Sequence, residues 1–211
     1  MMRRMMVVES DDMLDPDVSG TGGVNDAPVV IAHGCNLAGG PVHGLAAAVF
    51  DSFSEARADW EAITSPVLSS GVFDAPILAG RVIEWFGSAS LVHCGVNGAG
   101  QNVVVANAFT QVFPGADATS AGVRSGVWSV MEQAREGTVV RVPLIGAGIG
   151  GMSVEDSVVS LFAAVQMCSS PATLMVYVRA ADGAFGEAVR VARQCAATYR
   201  GSGTPEVQVY A

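Results

Sequence analysis

The chain has 211 residues, half of them hydrophobic and only 15% charged, so it can bury at least one full domain core and is not a disordered segment. Its net charge is −9 and its 11 basic residues are all arginines, a balance that argues against bulk binding to nucleic acid or anionic membrane. The absence of lysine excludes Schiff-base chemistry, a Walker-type phosphate lysine and a Ser–Lys dyad, and leaves any bound anion to backbone N–H groups, arginine or a metal.

Met1-Met2-Arg3-Arg4-Met5-Met6 is basic then apolar. Acidic Glu9, Asp11 and Asp12 follow almost at once and no small-residue cleavage site is present, so the segment reads as the approach to a strand over 5–9 and not as a signal peptide. Residues 15–27 are rich in Gly, Asp and Pro and predict a loop. Pro28-Val29-Val30-Ile31-Ala32-His33 is a run of the kind that a strand covered on both faces shows. A glycine-rich turn over 34–44 follows, and 45–62 predicts one helix, with Leu45, Val49, Phe50 and Trp60 as its apolar markers. Residues 64–80 carry two prolines and several small residues and predict an irregular loop. The strand-like runs 90–96 and 102–107 flank Asn97-Gly98-Ala99-Gly100, a hairpin signal. A helix is predicted over 118–137, a buried strand over 139–143, a second glycine-rich turn over 146–151, a helix over 154–167, a strand over 174–178 and a last helix over 186–199. The tail from Gly201 reads as flexible, with Val207-Gln208-Val209-Tyr210 able to add an edge strand.

Short buried strands alternating with helices, with one hairpin inserted, predict an α/β fold: a three-layer α/β/α sandwich around a mixed central sheet. With no internal repeat and no second composition regime, residues 1–200 read as one domain and 201–211 as a tail or edge strand. No apolar run reaches the roughly 18 residues needed to span a bilayer, so no membrane contact is expected. Cys35, Cys94, Cys168 and Cys195 form no CxxC pair and stand at no zinc-ligand spacing with His33, His43 or His93. They read as reduced, mostly buried thiols of a cytoplasmic protein, and neither a metal nor a cofactor is expected.

In an open α/β sheet, ligands bind outside the carboxyl ends of the strands, and both glycine-rich turns fall there. The first is His33-Gly34-Cys35-Asn36-Leu37-Ala38-Gly39-Gly40-Pro41-Val42-His43-Gly44. Its glycines let backbone N–H groups approach a ligand, and the helix that follows adds a partial positive charge. The second is Gly146-Ala147-Gly148-Ile149-Gly150-Gly151, with Ser153 as an N-cap and Asp156 as its capping-box partner. Gly146, Gly148 and Gly151 fit G-x-G-x-x-G, but no acidic residue ends a second strand about 20 positions on, so the dinucleotide reading is weak.

His33-Gly34-Cys35-Asn36, followed by Ala38-Gly39-Gly40 and Gly44, resembles the first ligand loop of macrodomains. Val142-Pro143-Leu144-Ile145 running into Gly146–Gly151 resembles their second. Between them, Val105-Ala106-Asn107-Ala108-Phe109-Thr110-Gln111 looks like the strand and turn of the branch related to ADP-ribose-1″-phosphate processing and nucleic-acid de-ADP-ribosylation. The three matches stand in the expected order across residues 7–178. The resemblance implies a macrodomain-like fold and a site for ADP-ribose or a related NAD-derived nucleotide. It implies that Asp11, with Asp12 competing for the role, accepts a hydrogen bond from the adenine amino group. It places Asn36 at the distal ribose, Gly39, Gly40 and Gly44 against the distal ribose and diphosphate, and Gly146, Ala147, Gly148, Ile149 and Gly150 around the diphosphate. Tyr177 or Phe185 would pack against the adenosine, although by residue type each reads first as a core aromatic.

The chain departs from the family at Pro41-Val42, where members often carry an aromatic or Met followed by Gly. It also lacks an Asp at Gly150, where one hydrolytic branch has one together with a lysine for covalent attack. Lysine-dependent deglycosylation is therefore not expected. Hydrolysis of an ADP-ribosyl bond needs a positioned water and charge stabilisation at the anomeric carbon, for which Asn36 and His43 are the catalytic candidates. His33, at the end of an apolar strand, reads as a hydrogen-bonded framework residue. Three functions remain open: a hydrolase acting on ADP-ribosylated protein, nucleic acid or a phosphate ester; a module that reads or sequesters ADP-ribose or another NAD-derived nucleotide; and an interaction domain with a degenerate pocket. The first ranks slightly ahead of the second. The Arg-only, Ala/Gly/Val-rich composition suggests a GC-rich genome, such as that of an actinobacterium or one of its phages.

Overall fold

The computed structural model describes residues 3–11, 13–15, 27–68, 75–199 and 204–211. Asp12 and most of the loop expected over 15–27 lie outside them. In chain order the elements are β1 (Arg4–Glu9), β2 (Val29–Asn36), α1 (Gly44–Ser52), α2 (Ser54–Leu68), α3 (Ala75–Trp85), β3 (Ala89–Val96), β4 (Asn102–Gln111), α4 (Ser120–Gln133), β5 (Val139–Pro143), α5 (Val154–Met167), β6 (Thr173–Val178), α6 (Phe185–Thr198) and β7 (Glu206–Tyr210).

The strands form one sheet in the order β3-β4-β2-β5-β6-β1-β7. Only β3 runs antiparallel, against β4, and every other pair is parallel. The sheet is therefore mixed, and the hairpin predicted around Asn97 supplies its single antiparallel pair. Side chains alternate between the two faces, as strand geometry requires. On β2, Val30 and Ala32 join a core with α4, α5 and α6, including Val127, Leu161, Phe162 and Val191. Val29 and Ile31 face the other way, toward Met6, Met175 and Tyr177. On that same side Phe109 of β4 packs with Phe50, Ala56 and Trp60 of α1 and α2. Helices thus cover both faces, which is the three-layer sandwich that the β-branched runs foretold.

Three local expectations are corrected. The helix expected over 45–62 is two helices, broken at Phe53, whose backbone is extended (φ −134°). Phe53 turns inward to pack against core clusters, and Ser52 and Ser54 flank the break, a residue type that favours helix ends. The irregular loop expected over 64–80 is mostly helix. Pro66 sits in the last turn of α2, where Ser65 Oγ lies 3.4 Å from the Ala62 carbonyl and supplies a donor that proline lacks. Pro76 is the second residue of α3, in the turn whose N–H groups have no partner inside the helix anyway. Finally, β4 continues as strand through Gln111, well past 107. At the other edge, β7 pairs with β1.

Candidate functional site

Because β1, β2, β4, β5 and β6 are all parallel, their carboxyl ends open on one edge of the sheet. A cleft of about 1020 Å³ runs across it, large enough for a nucleotide-sized ligand. Asn36, Pro41, His43 and Gly44 line one wall, Gly146 to Gly150 the opposite wall, and Asp11, Tyr177 and Arg179 one end.

The first wall begins at the end of β2. Trp60 of α2 donates its indole N–H to the Asn36 carbonyl at 3.0 Å, which pins the backbone there. The Asn36 side-chain oxygen is buried without a hydrogen-bond partner, and the residue lines the cleft. The chain then crosses to α1, tied down by Leu37 and Ala38 N–H bonds to the Val112 carbonyl. His43 is the N-cap of α1, yet its side chain makes no capping bond, and the first turn of α1 holds no acidic residue. The partial positive end of α1 is therefore open to the cleft through Gly44, Leu45 and Ala46. Gly39 and Gly40 turn the loop at φ 73° and 97° and do not border the cleft.

The second wall differs. Ser153 caps α5 by accepting the Asp156 N–H at 3.0 Å, as its sequence predicts, and Glu155 and Asp156 occupy the first turn. The α5 dipole is already answered by its own carboxylates. What this loop offers a ligand is shape and the backbone of Gly146 to Gly150. Ile149 reaches across to the first wall: a Cβ added at Gly44 would stand 3.0 Å from Ile149 Cδ1, and Gly44 has φ 59°, a region that disfavours side chains. The segment after β4 braces both walls. It accepts from Leu37 and Ala38 on one side, and Ala118 N–H donates to the Gly150 carbonyl on the other. Asp117 holds this segment in shape by accepting from the Val112 and Phe113 N–H groups at 2.9 and 2.8 Å.

Beneath the first wall lies a buried polar network. Asn107 donates its amide N–H groups to the Ala56 carbonyl (2.9 Å) and Asp59 (3.0 Å), which turns its oxygen toward His33 Nε2 at 2.9 Å. The neutral His33 ring therefore carries its proton on Nε2 and donates it. Burial pulls the His33 pKa down to about 4, against the opposing pull of the Asn107 bond. Its ring also stands edge-on to Phe50, with centroids 5.1 Å apart. Cys35 Sγ is 3.7 Å from His33 Nδ1. Burial, and then the Asp59 charge, push this thiol far above its usual range, so Cys35 stays neutral and is no nucleophile.

At the far end, Asp11 is exposed just after β1. Arg179, the residue after β6, forks onto Asp182 through Nε (3.2 Å) and Nη2 (2.8 Å). That bond to Asp182 raises the guanidinium pKa further, and the Asp11 charge adds to it. Tyr177 borders the cleft but is only 5% exposed, its ring given mainly to the core with Met6 and Ile31. Phe185 packs against the α4–α6 core and does not line the cleft.

No protein-family model matches the sequence, and no curated protein does. Solved structures do. The macrodomain of Mycobacterium tuberculosis DarG superposes with a TM-score of 0.55 at 19% identity, covering 82% of this chain and 97% of that one. The macrodomain of Thermus aquaticus DarG gives 0.54 at 14% identity, over 83% and 99%. A macrodomain protein from Streptomyces coelicolor gives 0.50 at 20% identity, over 82% and 98%. The chain has the macrodomain fold. Identities this low establish the fold and leave the ligand to the chemistry of the cleft.

Within this macrodomain cleft, sequence reasoning missed Arg179, Gln111 and Thr110. Among the described residues Arg179 is the only arginine lining the cleft, and its signal was its position, directly after β6. Gln111 Nε2 donates to the Phe113 carbonyl at 2.7 Å and steadies the brace between the walls. Thr110 and Gln111 are a polar pair ending a buried apolar strand, a pattern that marks a strand reaching a site.

Proposed function

We propose that this protein binds ADP-ribose in the cleft. The observation that carries the reading is the open positive end of α1, uncapped and free of first-turn acids, facing a glycine turn across a nucleotide-sized cleft. That is a seat for a diphosphate in a chain without lysine. The groups on either side fit the rest of the molecule. The Asn36 oxygen, buried and unpartnered, suits a ribose hydroxyl. Asp11 suits an exocyclic amine, and the forked guanidinium of Arg179 presents a planar face to a base.

Hydrolysis of an ADP-ribosyl bond on protein, nucleic acid or a phosphate ester is the second reading. It is favoured by His43, which lines the cleft at the α1 end, as Asn36 lines it at the end of β2. Neither lysine nor a carboxylate at Gly150 is present to assist, and Cys35 is neutral, so turnover would rest on a water held by Asn36 and His43.

Calorimetric titration with ADP-ribose, with AMP and NAD as controls and Asp11→Ala alongside, tests the binding reading. Micromolar binding of ADP-ribose that weakens severalfold in the variant is expected. Absence of heat with ADP-ribose overturns it. Release of ADP-ribose from modified protein or DNA, lost in His43→Ala, is the outcome that supports hydrolysis.

A further inference from the structure

β2 and β4 pair in register from Val29–Val103 through Cys35–Phe109, and then Asn36 pairs with Gln111. Thr110 is therefore the extra residue of a bulge, at the point where β4 reaches the cleft. Bulges of this kind re-aim a side chain. The Thr110 side chain is 1% exposed, lines the cleft, and its hydroxyl has no hydrogen-bond partner in the protein. It lies over Gly34, where an added Cβ would stand 2.9 Å from Thr110 Oγ1 and 3.0 Å from the Ile145 side chain. The hydroxyl thus sits at the junction of the two walls, with the first loop's base below it and the start of the second loop beside it.

Two buried polar atoms at adjacent strand ends, Asn36 Oδ1 and Thr110 Oγ1, share the lack of a partner. Buried polar groups in folded proteins are almost always satisfied, and these two, unlike the Trp85 and Thr138 atoms that also lack a partner, border the cleft where a ligand can reach them. The carboxamide oxygen can only accept, whereas the hydroxyl can donate or accept. A vicinal diol meets both, since one hydroxyl donates to Asn36 while its neighbour accepts from Thr110. We infer that Thr110 is a ligand-binding residue that reads the distal ribose together with Asn36, and that the β4 bulge exists to present it. This rests on the ADP-ribose reading above.

Thr110→Val replaces the hydroxyl with a methyl group of nearly the same shape, and Thr110→Ser restores it. In the ligand-free protein the valine variant should melt at the same temperature or higher, because an unsatisfied hydroxyl has been removed. Its affinity for ADP-ribose should fall roughly tenfold, with AMP, which lacks the distal ribose, unaffected, and the serine variant should recover most of the loss. Wild-type binding with unchanged affinity in Thr110→Val overturns the inference alone. An equal loss for ADP-ribose and AMP, or a lower melting temperature without ligand, shows a structural role and also overturns it. Failure of the wild type to bind ADP-ribose overturns the underlying reading and the inference with it.

Discussion

The two glycine loops occupy equivalent places in the sheet and resemble each other in sequence, yet they are built for different work. The first leads into a helix whose positive end is left open, and its base is pinned by Trp60 and the His33–Asn107–Asp59 network. The second leads into a helix that Ser153, Glu155 and Asp156 have already capped and neutralised. A helix N-terminus serves a ligand only when its own side chains have not claimed it first. On that basis the first loop supplies attraction and the second supplies enclosure.

Gly44→Val strikes at the meeting point of the two. A branched residue at φ 59° with its Cβ against Ile149 should cost roughly a hundredfold in ADP-ribose affinity, about 3 kcal/mol. Titration that finds less than a threefold loss would show that the loops do not clasp the ligand. The anchoring of the first loop should also be sensitive to acid. His33 has a folded pKa of about 4, below the 6.5 of a free imidazole. The unfolded chain therefore takes up the proton that the folded one refuses. Stability should be full above pH 6.5 and decline as pH falls toward 4, by on the order of 3 kcal/mol. Urea unfolding between pH 7 and pH 4.5 checks this, and a flat profile would mean that His33 is not sealed in. The smallest effect tests the contrast most directly. Ala46→Asp gives α1 the first-turn acid that α5 has at Asp156. It should lower ADP-ribose affinity roughly fivefold, about 1 kcal/mol, while Asp156→Ala changes it less than twofold. Equal responses in the two variants would erase the distinction between the loops.

Much of this was legible in the sequence. The β-branched runs revealed strands buried on both faces, Asn97-Gly98-Ala99-Gly100 revealed the hairpin, and Ser153 with Asp156 revealed the start of α5. The misreadings have physical causes. Pro66 and Pro76 look like helix breakers until their places are known: Pro76 stands in a first turn, where proline costs little, and Pro66 in a last turn, where Ser65 supplies a donor to the carbonyl that proline leaves without one. The alanine-rich stretch after Gly44 promised one helix because nothing local shows that Phe53 is needed in the core. Asn36, Gly44 and Gly146 to Gly150, named through the resemblance to the macrodomain loops, line the cleft, whereas Gly39 and Gly40 do not border it. Thr110 carried only the mark of a polar residue ending an apolar strand; that its hydroxyl lacks a partner is set by distant neighbours and was not legible in the sequence. Tyr177 and Phe185 are core aromatics, the reading their residue types favoured: Tyr177 gives most of its ring to the interior and Phe185 packs on the other side of the sheet.

The contact between Ile149 and Gly44 also bears on time as well as affinity. If a diphosphate binds beneath that contact, as proposed, it departs only when the two loops separate. Its residence would then be set by how often the bridge opens, and variants that loosen Ile149 would shorten occupancy by speeding escape and admission alike. Two such proteins could share one dissociation constant and differ widely in how long each holds its nucleotide.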